Sequence, residues 1–250
     1  MGYLKHQEAV LKFIDSIKSR QRLVPERRDD MCPELCTGFY LAEGTVWRCT
    51  YSDDLAEMPG RNCPHYDRQR ENHVRAWLKY IGVPERYSEM PDEEQIQHVG
   101  VLRQWSLAML QGSCSTGLVL AGGKGTGKTT TLGWLARSLW EIRRVRAIRF
   151  VFAPDLFDML HQNSKAVYDW AEVDILFIDD YGREHASEFS ANRWDSLVEK
   201  RYGQKKPTVL STNLAPSDMD TESRWFDRLK EQCLWLRLAG SSKRSKRETL

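Results

Sequence analysis

Three features of this 250-residue chain predict an α/β fold, a parallel sheet layered between helices. First, an apolar run from Leu118 to Ala121 reads as a buried strand. It breaks at Gly122 and Gly123 and enters the pattern G-x-x-x-x-G-K-[ST], filled by Gly122, Gly127, Lys128 and Thr129. Second, Leu132, Leu135, Ala136 and Leu139 recur behind the loop at helical spacing, so the order is strand, loop, helix. Third, Val173 to Ile178 is almost continuously apolar and ends in two acids, Asp179 and Asp180. Such a run reads as a strand buried on both faces, with carboxylates at the C-terminal edge where α/β sheets bind ligands.

Composition sets broad limits. A hydrophobic fraction of 41% and a charged fraction of 29% are ordinary for a soluble globular protein. The net charge of +2 makes no general case for nucleic acid, so any such contact must come from local clusters. No stretch is long and apolar enough to span a membrane, and the first residues lack an apolar signal core. Gly2 is outside a myristoylation pattern because His6 stands where Ser or Thr is needed. A cytoplasmic protein is expected, with its 6 cysteines as reduced thiols or metal ligands.

In chain order, residues 3–23 predict an amphipathic basic helix with Val10, Phe13, Ile14 and Ile17 on one face. It reads as a solvated helix docked on its neighbour, or as a contact helix for a partner. From residue 24 to 66, Pro25, Pro33, Pro59 and Pro64 interrupt regular structure. Cys32, Cys36, Cys49 and Cys63 fall here, with His65 just beyond. Cys32 and Cys36 have the spacing of one knuckle of a zinc ribbon, but Cys49 and Cys63 are far apart. A tetrahedral zinc site is the preferred reading, with His65 as an alternative ligand; unliganded thiols and an iron–sulfur cluster stay open. Metal binding is a plausible source of fold for so loop-rich a segment. Cys114 and Cys233 read as buried core thiols.

Asp67 to Tyr80 predicts a helix that ends before Gly82 and Pro84. Val99, Leu102, Leu107 and Leu110 mark another. The phosphate loop follows. Its glycines let backbone N–H groups turn inward as a nest for anionic oxygens, and the next helix aims its N-terminus at the same point. Residues Gly122, Gly123, Lys124, Gly125, Thr126, Gly127, Lys128, Thr129 and Thr130 form the expected cradle. Lys128 reaches the outer phosphates of a nucleotide, and the Thr129 hydroxyl can ligate Mg²⁺.

Arg143, Arg144 and Arg146 form a basic turn, either solvated or touching a phosphate backbone. A strand over 147–153 and a short helix over 155–162 follow, with Leu156, Met159 and Leu160 expected inward. Asp179 suits the carboxylate that holds a hydrated metal; Asp180 suits the base that orients the attacking water. A helix over 188–202 should bury Trp194, Leu197 and Val198. The strand after it ends at Asn213, whose amide would lie beside the acids and sense a γ-phosphate, or simply cap a turn. A further helix carries Arg224, Asp227, Arg228 and Leu229, and a strand over 234–238 leads to a basic tail.

The ordered motifs resemble the DnaC/IstB-type branch of the AAA+ ATPases, which includes bacterial and phage replicative helicase loaders. The resemblance rests on Gly122 to Thr129, Ile178-Asp179-Asp180-Tyr181-Gly182, Arg201-Tyr202, Pro207-Thr208, Thr212-Asn213-Leu214, Asp227-Arg228-Leu229 and Gly240-x-Ser242-x-Arg244. It spans roughly residues 80 to 246, and Ile81 to Tyr87 resembles the family's lead-in turn. It implies a three-layer AAA+ core over 76–250 without a large lid, preceded by a helicase-interaction region over 1–75. It implies ATP hydrolysis, self-assembly into open rings or spirals, and single-stranded DNA contacts. By position, Lys128 and Thr129 match Walker A, Asp179 and Asp180 match Walker B, and Asn213 matches the first sensor. Arg228 matches an arginine finger reaching a neighbour's ATP, and Arg244 the second sensor. Lys243 departs from the usual aromatic and Lys124 from a frequent Pro; neither removes a phosphate ligand.

The leading expectation is an ATP-dependent loader for a hexameric replicative DNA helicase. The alternatives are an IstB-type transposition helper and a non-hydrolysing nucleotide-gated adaptor.

Overall fold

A computed structural model describes residues 39–42, 45–48, 66–140, 148–182, 188–215, 217, 219 and 223–240. Expectations for residues 3–23, Cys32, Cys36, Cys49, Cys63, His65, Arg143, Arg144, Arg146, Lys243 and Arg244 lie outside the described residues. The chain divides into two compact units, Met1–Tyr80 and Ile81–Leu250.

In the first unit, β1 (Phe39–Ala42) and β2 (Thr45–Arg48) pair antiparallel, with Phe39 opposite Arg48. This hairpin falls where prolines argued against regular structure. Phe39, Tyr40, Val46 and Trp47 are strong strand formers and lie between the prolines rather than among them. Helix α1 (Tyr66–Ile81) takes up the predicted 67–80 stretch.

The second unit opens on a tight turn. Gly82 has φ +104°, and a Cβ there would stand 2.3 Å from the Phe150 carbonyl oxygen, so only glycine fits. A short 3₁₀ turn, Glu85–Tyr87, precedes α2 (Val99–Leu110). Helix α2 buries Leu102, Trp105, Ser106 and Met109, whereas Leu107 is exposed.

Five strands then form one parallel sheet: β3 (Gly117–Gly122), β4 (Ile148–Phe152), β5 (Ile175–Tyr181), β6 (Thr208–Thr212) and β7 (Cys233–Leu238). Their spatial order is β4-β5-β6-β3-β7. The loop strand β3 lies between β6 and β7, and Leu118, Val119 and Leu120 are wholly buried. Burial on both faces explains why β3 and β5 read as apolar runs rather than alternating ones.

Helix α3 (Lys128–Ser138) buries Leu132, Leu135 and Ala136, and Leu139 caps it, as the spacing predicts. Strand β4 stops one residue short of expectation because Ala153 and Pro154 begin α4 (Ala153–Gln162). Proline is suited to a first helical turn and cannot donate to a ladder. The inward face of α4 is Leu156, Phe157 and Leu160; Met159, expected inward, is exposed. Helix α5 (Ala166–Ala171) is too short to show a period and was not expected. Helix α6 (Glu188–Gly203) buries Trp194, Leu197 and Val198 as predicted, and α7 (Arg224–Gln232) runs into β7. Cys233 is a buried core thiol, with burial pushing its pKa up to about 12. Cys114 is only half-buried, which corrects the core reading for that residue.

Two features tie the layers. Tyr181, directly after the acids, packs its ring 5.4 Å from Trp194 of α6 and 5.2 Å from Trp225 of α7. At the opposite end of the strands, buried Arg201 of α6 donates from Nε to Thr208 Oγ1 at 2.9 Å and from its terminal nitrogens to Val173 and Pro207 carbonyls at 2.6 Å each. It therefore clamps the starts of β5 and β6.

Candidate nucleotide site

The loop between β3 and α3 is held open by conformation. Gly125 and Gly127 take φ +78° and +93°, values that carry little cost only without a Cβ. The Thr126 hydroxyl donates to the Gly123 carbonyl at 3.0 Å, and Thr126 itself is buried while Lys124 is exposed. Gln97 grips both N–H and C=O of Ala239, at 2.9 and 2.8 Å, and reaches the Thr126 carbonyl at 3.5 Å. The loop is thereby tied to the segment leaving β7. Gln97 was missed because nothing in its sequence context distinguishes it from a surface glutamine.

Lys128 is buried, and its ammonium donates to the carbonyls of Gly122 and Gly123 at 2.7 and 2.8 Å and to Asn213 Oδ1 at 2.8 Å. Asn213 Nδ2 in turn donates to Asp180 Oδ1 at 2.7 Å. A chain of hydrogen bonds thus links lysine, amide and acid across three separate elements. Asn213 is one residue past β6 and beside the acids, as its position predicts.

Asp179 is buried at the end of β5. Desolvation pushes its carboxyl above the ordinary carboxylate value; the hydroxyls of Ser211 and Thr129 oppose that, and the Asp180 charge adds to it. Ser211 Oγ–H donates to Asp179 Oδ1. Oδ2 is buried with no hydrogen-bond partner among the described residues. A buried carboxylate oxygen without a partner, on an acid whose carboxyl also meets the Thr129 hydroxyl, fits a hydrated divalent cation, hard and oxygen-seeking, as Mg²⁺ is. Thr130 follows on the same helix turn, half-buried.

The structure thus brings Lys128, Thr129, Asp179, Asp180 and Asn213 together. Arg228 is not among them. Its Nε donates to Glu199 Oε2 at 3.0 Å, and its guanidinium lies 4.6 Å from the Tyr202 ring centroid. The Glu199 hydrogen bond and charge hold its pKa above the ordinary value. No group of three or more His, Cys, Asp or Glu side chains suited to a metal gathers among the described residues. The zinc reading therefore rests entirely on the cysteines and His65 that lie outside them. No helix among the described residues is long and apolar enough to cross a membrane.

This sheet order, with the loop strand flanked on both sides and an acid pair on the next strand but one, defines a P-loop NTPase core of the AAA+ type. Residues 101–250 match the family described as IstB-like ATP binding protein, and the chain belongs to that family, within the DnaC/IstB-type AAA+ ATPases. The chain is similar to the uncharacterized protein YqaM of Bacillus subtilis (strain 168), 25% identical over 133 residues. That match covers 50% of this chain and only 42% of the relative.

Among solved structures, a DnaC helicase loader is 18% identical with TM-score 0.52, covering 62% of this chain and 100% of that one. DnaI is 18% identical with TM-score 0.50, covering 66% and 93%. AMPPCP-bound DnaA from Aquifex aeolicus is 19% identical with TM-score 0.51, covering 65% and 52%. At these identities the likeness is one of fold.

Proposed function

We propose that this chain is an ATP-dependent helicase loader that hydrolyses ATP. In this reading its N-terminal region, residues 1–75, grips a hexameric replicative helicase while the core, residues 76–250, assembles with copies of itself on single-stranded DNA. The observation that carries the ATPase half is the lysine–amide–acid chain of Lys128, Asn213 and Asp180 beside the bare oxygen of Asp179. The loader half is supported by the fold it shares with a DnaC helicase loader and with a putative primosome component from Streptococcus pyogenes serotype M3.

The chemistry follows from these contacts. The Lys128 ammonium donates to two loop carbonyls and to Asn213. Bound β- and γ-phosphate oxygens compete for that ammonium and offer full negative charge in place of neutral acceptors. Lys128 then exchanges partners, and the Asn213 amide is released toward the γ-phosphate. Asp180 Oδ1, to which the Asn213 amide donates, would become the acceptor for the proton of the attacking water. Thr129 and Asp179 would hold Mg²⁺, which neutralises charge developing on the phosphates. Arg228, on the exposed side of α7, would reach the nucleotide of a neighbouring copy by exchanging Glu199 for phosphate. Arg244 would act as the second sensor, and the cysteine region would hold zinc.

The test is binding of the purified full chain to a hexameric replicative helicase, with and without ATP and single-stranded DNA. ATP-dependent capture is expected, and is lost without residues 1–75. Failure to bind any replicative helicase would overturn the loader reading. The IstB-like family match supports a second reading, a transposition helper acting on duplex DNA. Preference for duplex over single strands, with turnover stimulated by a transposase, would select it.

A further inference from the structure

Asp179 and Asp180 are neighbours in sequence, and neighbours on a regular strand point to opposite faces. Yet Asp179 lies by Thr129 while Asp180 bonds to Asn213, the partner of Lys128. Both acids therefore serve one site. The register shows how. Strands β5 and β6 pair at Ile178 with Leu210 and again at Tyr181 with Thr212, so two acids stand opposite the single residue Ser211. This is a β-bulge, which leaves one residue off the ladder and re-aims side chains. Asp180 accordingly takes φ +63°, the left-handed region that few non-glycine residues occupy.

At the bulge a side chain meets the backbone: the Asp180 N–H donates to Ser211 Oγ at 2.9 Å. The same hydroxyl donates its own proton to Asp179 Oδ1. Ser211 is completely buried, so these two partners are not shared with bulk water. A hydroxyl is the smallest group that can accept and donate at once.

We infer that Ser211 is a positioning residue for the metal–nucleotide site, one hydroxyl setting both acids. By occupying Oδ1 it turns Oδ2 of Asp179 toward the cation. By pinning the bulge it keeps Asp180 aimed at Asn213. This rests on the Mg·ATP reading of the site. Ser211 precedes Asn213 by two and looks in sequence like an ordinary small strand residue, so only the register reveals it.

The test uses the full chain and a fluorescent ATP analogue, titrated in Mg²⁺ and in EDTA, for wild type, Ser211→Ala and Ser211→Thr. Wild type defines the gain in affinity that Mg²⁺ brings. Ser211→Ala is expected to lose about tenfold or more of that gain, the weight of a hydrogen bond to a charged group. Its affinity in EDTA should stay unchanged, and Ser211→Thr should keep the gain. An undiminished gain in Ser211→Ala overturns the inference. So does an equal loss with and without Mg²⁺, which would mark general damage to the fold. Should Ser211→Ala fail to fold, Ser211→Thr decides: a folded threonine variant without the gain overturns the inference, and one with it supports a hydroxyl role. A double cycle adds a second readout, since Ser211→Ala should cost nothing further in Mg²⁺ gain once Asp179→Asn is present. A wild type with no Mg²⁺ gain at all instead removes the Mg·ATP reading, an outcome distinct from any variant result.

Discussion

Replacing Arg201 separates what holds the sheet from what binds the nucleotide. Its guanidinium makes five hydrogen bonds within the core: to Thr208 Oγ1 at 2.9 Å, and to the carbonyls of Val173 and Pro207 at 2.6 Å, Trp170 at 3.2 Å and Ala171 at 3.5 Å. Burial pulls its pKa down to about 9, so it is still charged at neutral pH, with Asp174 nearby in charge support. Arg201→Ala strands at least three well-made buried acceptors. Bonds to a charged group are worth about 1.5–3 kcal/mol each, but relaxation and entering water recover part of the sum. Each buried acceptor left unsatisfied costs about 1–3 kcal/mol, and with part recovered we take about 3–5 kcal/mol as the expected loss. For a chain of this size that lowers Tm by roughly 10 °C. Urea unfolding followed by tryptophan fluorescence measures it, Trp194 being in the same core. Affinity for ATP in the folded variant should be unchanged, because Arg201 grips the strand starts and the phosphate loop is at their ends. A loss below about 1 kcal/mol, or lost ATP binding in a protein that is still fully folded, would refute the reasoning.

Other outcomes are expected at the site. Lys128→Ala should abolish measurable ATP binding by calorimetry while the protein stays folded, since its resting partners are mostly neutral carbonyls. Asp180→Asn should retain ATP and Mg²⁺ but lower turnover by about 10²–10⁴-fold, the usual weight of a general base, in a phosphate-release assay. The pKa of Asp179 is raised by folding, so its protonated form is favoured in the native state. Its contribution to stability is therefore lost as pH rises from the ordinary carboxylate value through the raised native one. Asp179→Asn should flatten that part of the stability–pH curve in urea melts, and a slope identical to wild type would count against the burial argument. Arg228→Ala should leave ATP affinity of the isolated chain intact and remove the rise of specific turnover with protein concentration. If turnover rises as in wild type, Arg228 is not the group that crosses between copies.

Much of this was legible in the residues themselves. The loop pattern announces itself because glycines at left-handed positions, a lysine and a hydroxyl are each chemically irreplaceable at their offsets. Long buried strands and helices with a sustained period, such as β3, β5, α3 and α6, were also visible, because burial on a fixed face imposes a repeating choice of side chain. Short or partly buried pieces were not. Six residues of α5 cannot show a period, the Met159 face of α4 depends on a neighbour that local spacing does not encode, and Cys114 resembles a core thiol until its surroundings are known.

Chain order alone determined that a phosphate cradle, an acid pair and a polar amide occur in one α/β core, since each is written in consecutive residues. Tertiary structure decided which of them meet. It put Asn213 between Lys128 and Asp180, gave Ser211 two acids to hold, and sent Arg228 to Glu199 instead of the loop. The physical reason is that strand register is set by pairing between segments remote in sequence. A one-residue bulge opposite Ser211 reverses the face of every side chain beyond it.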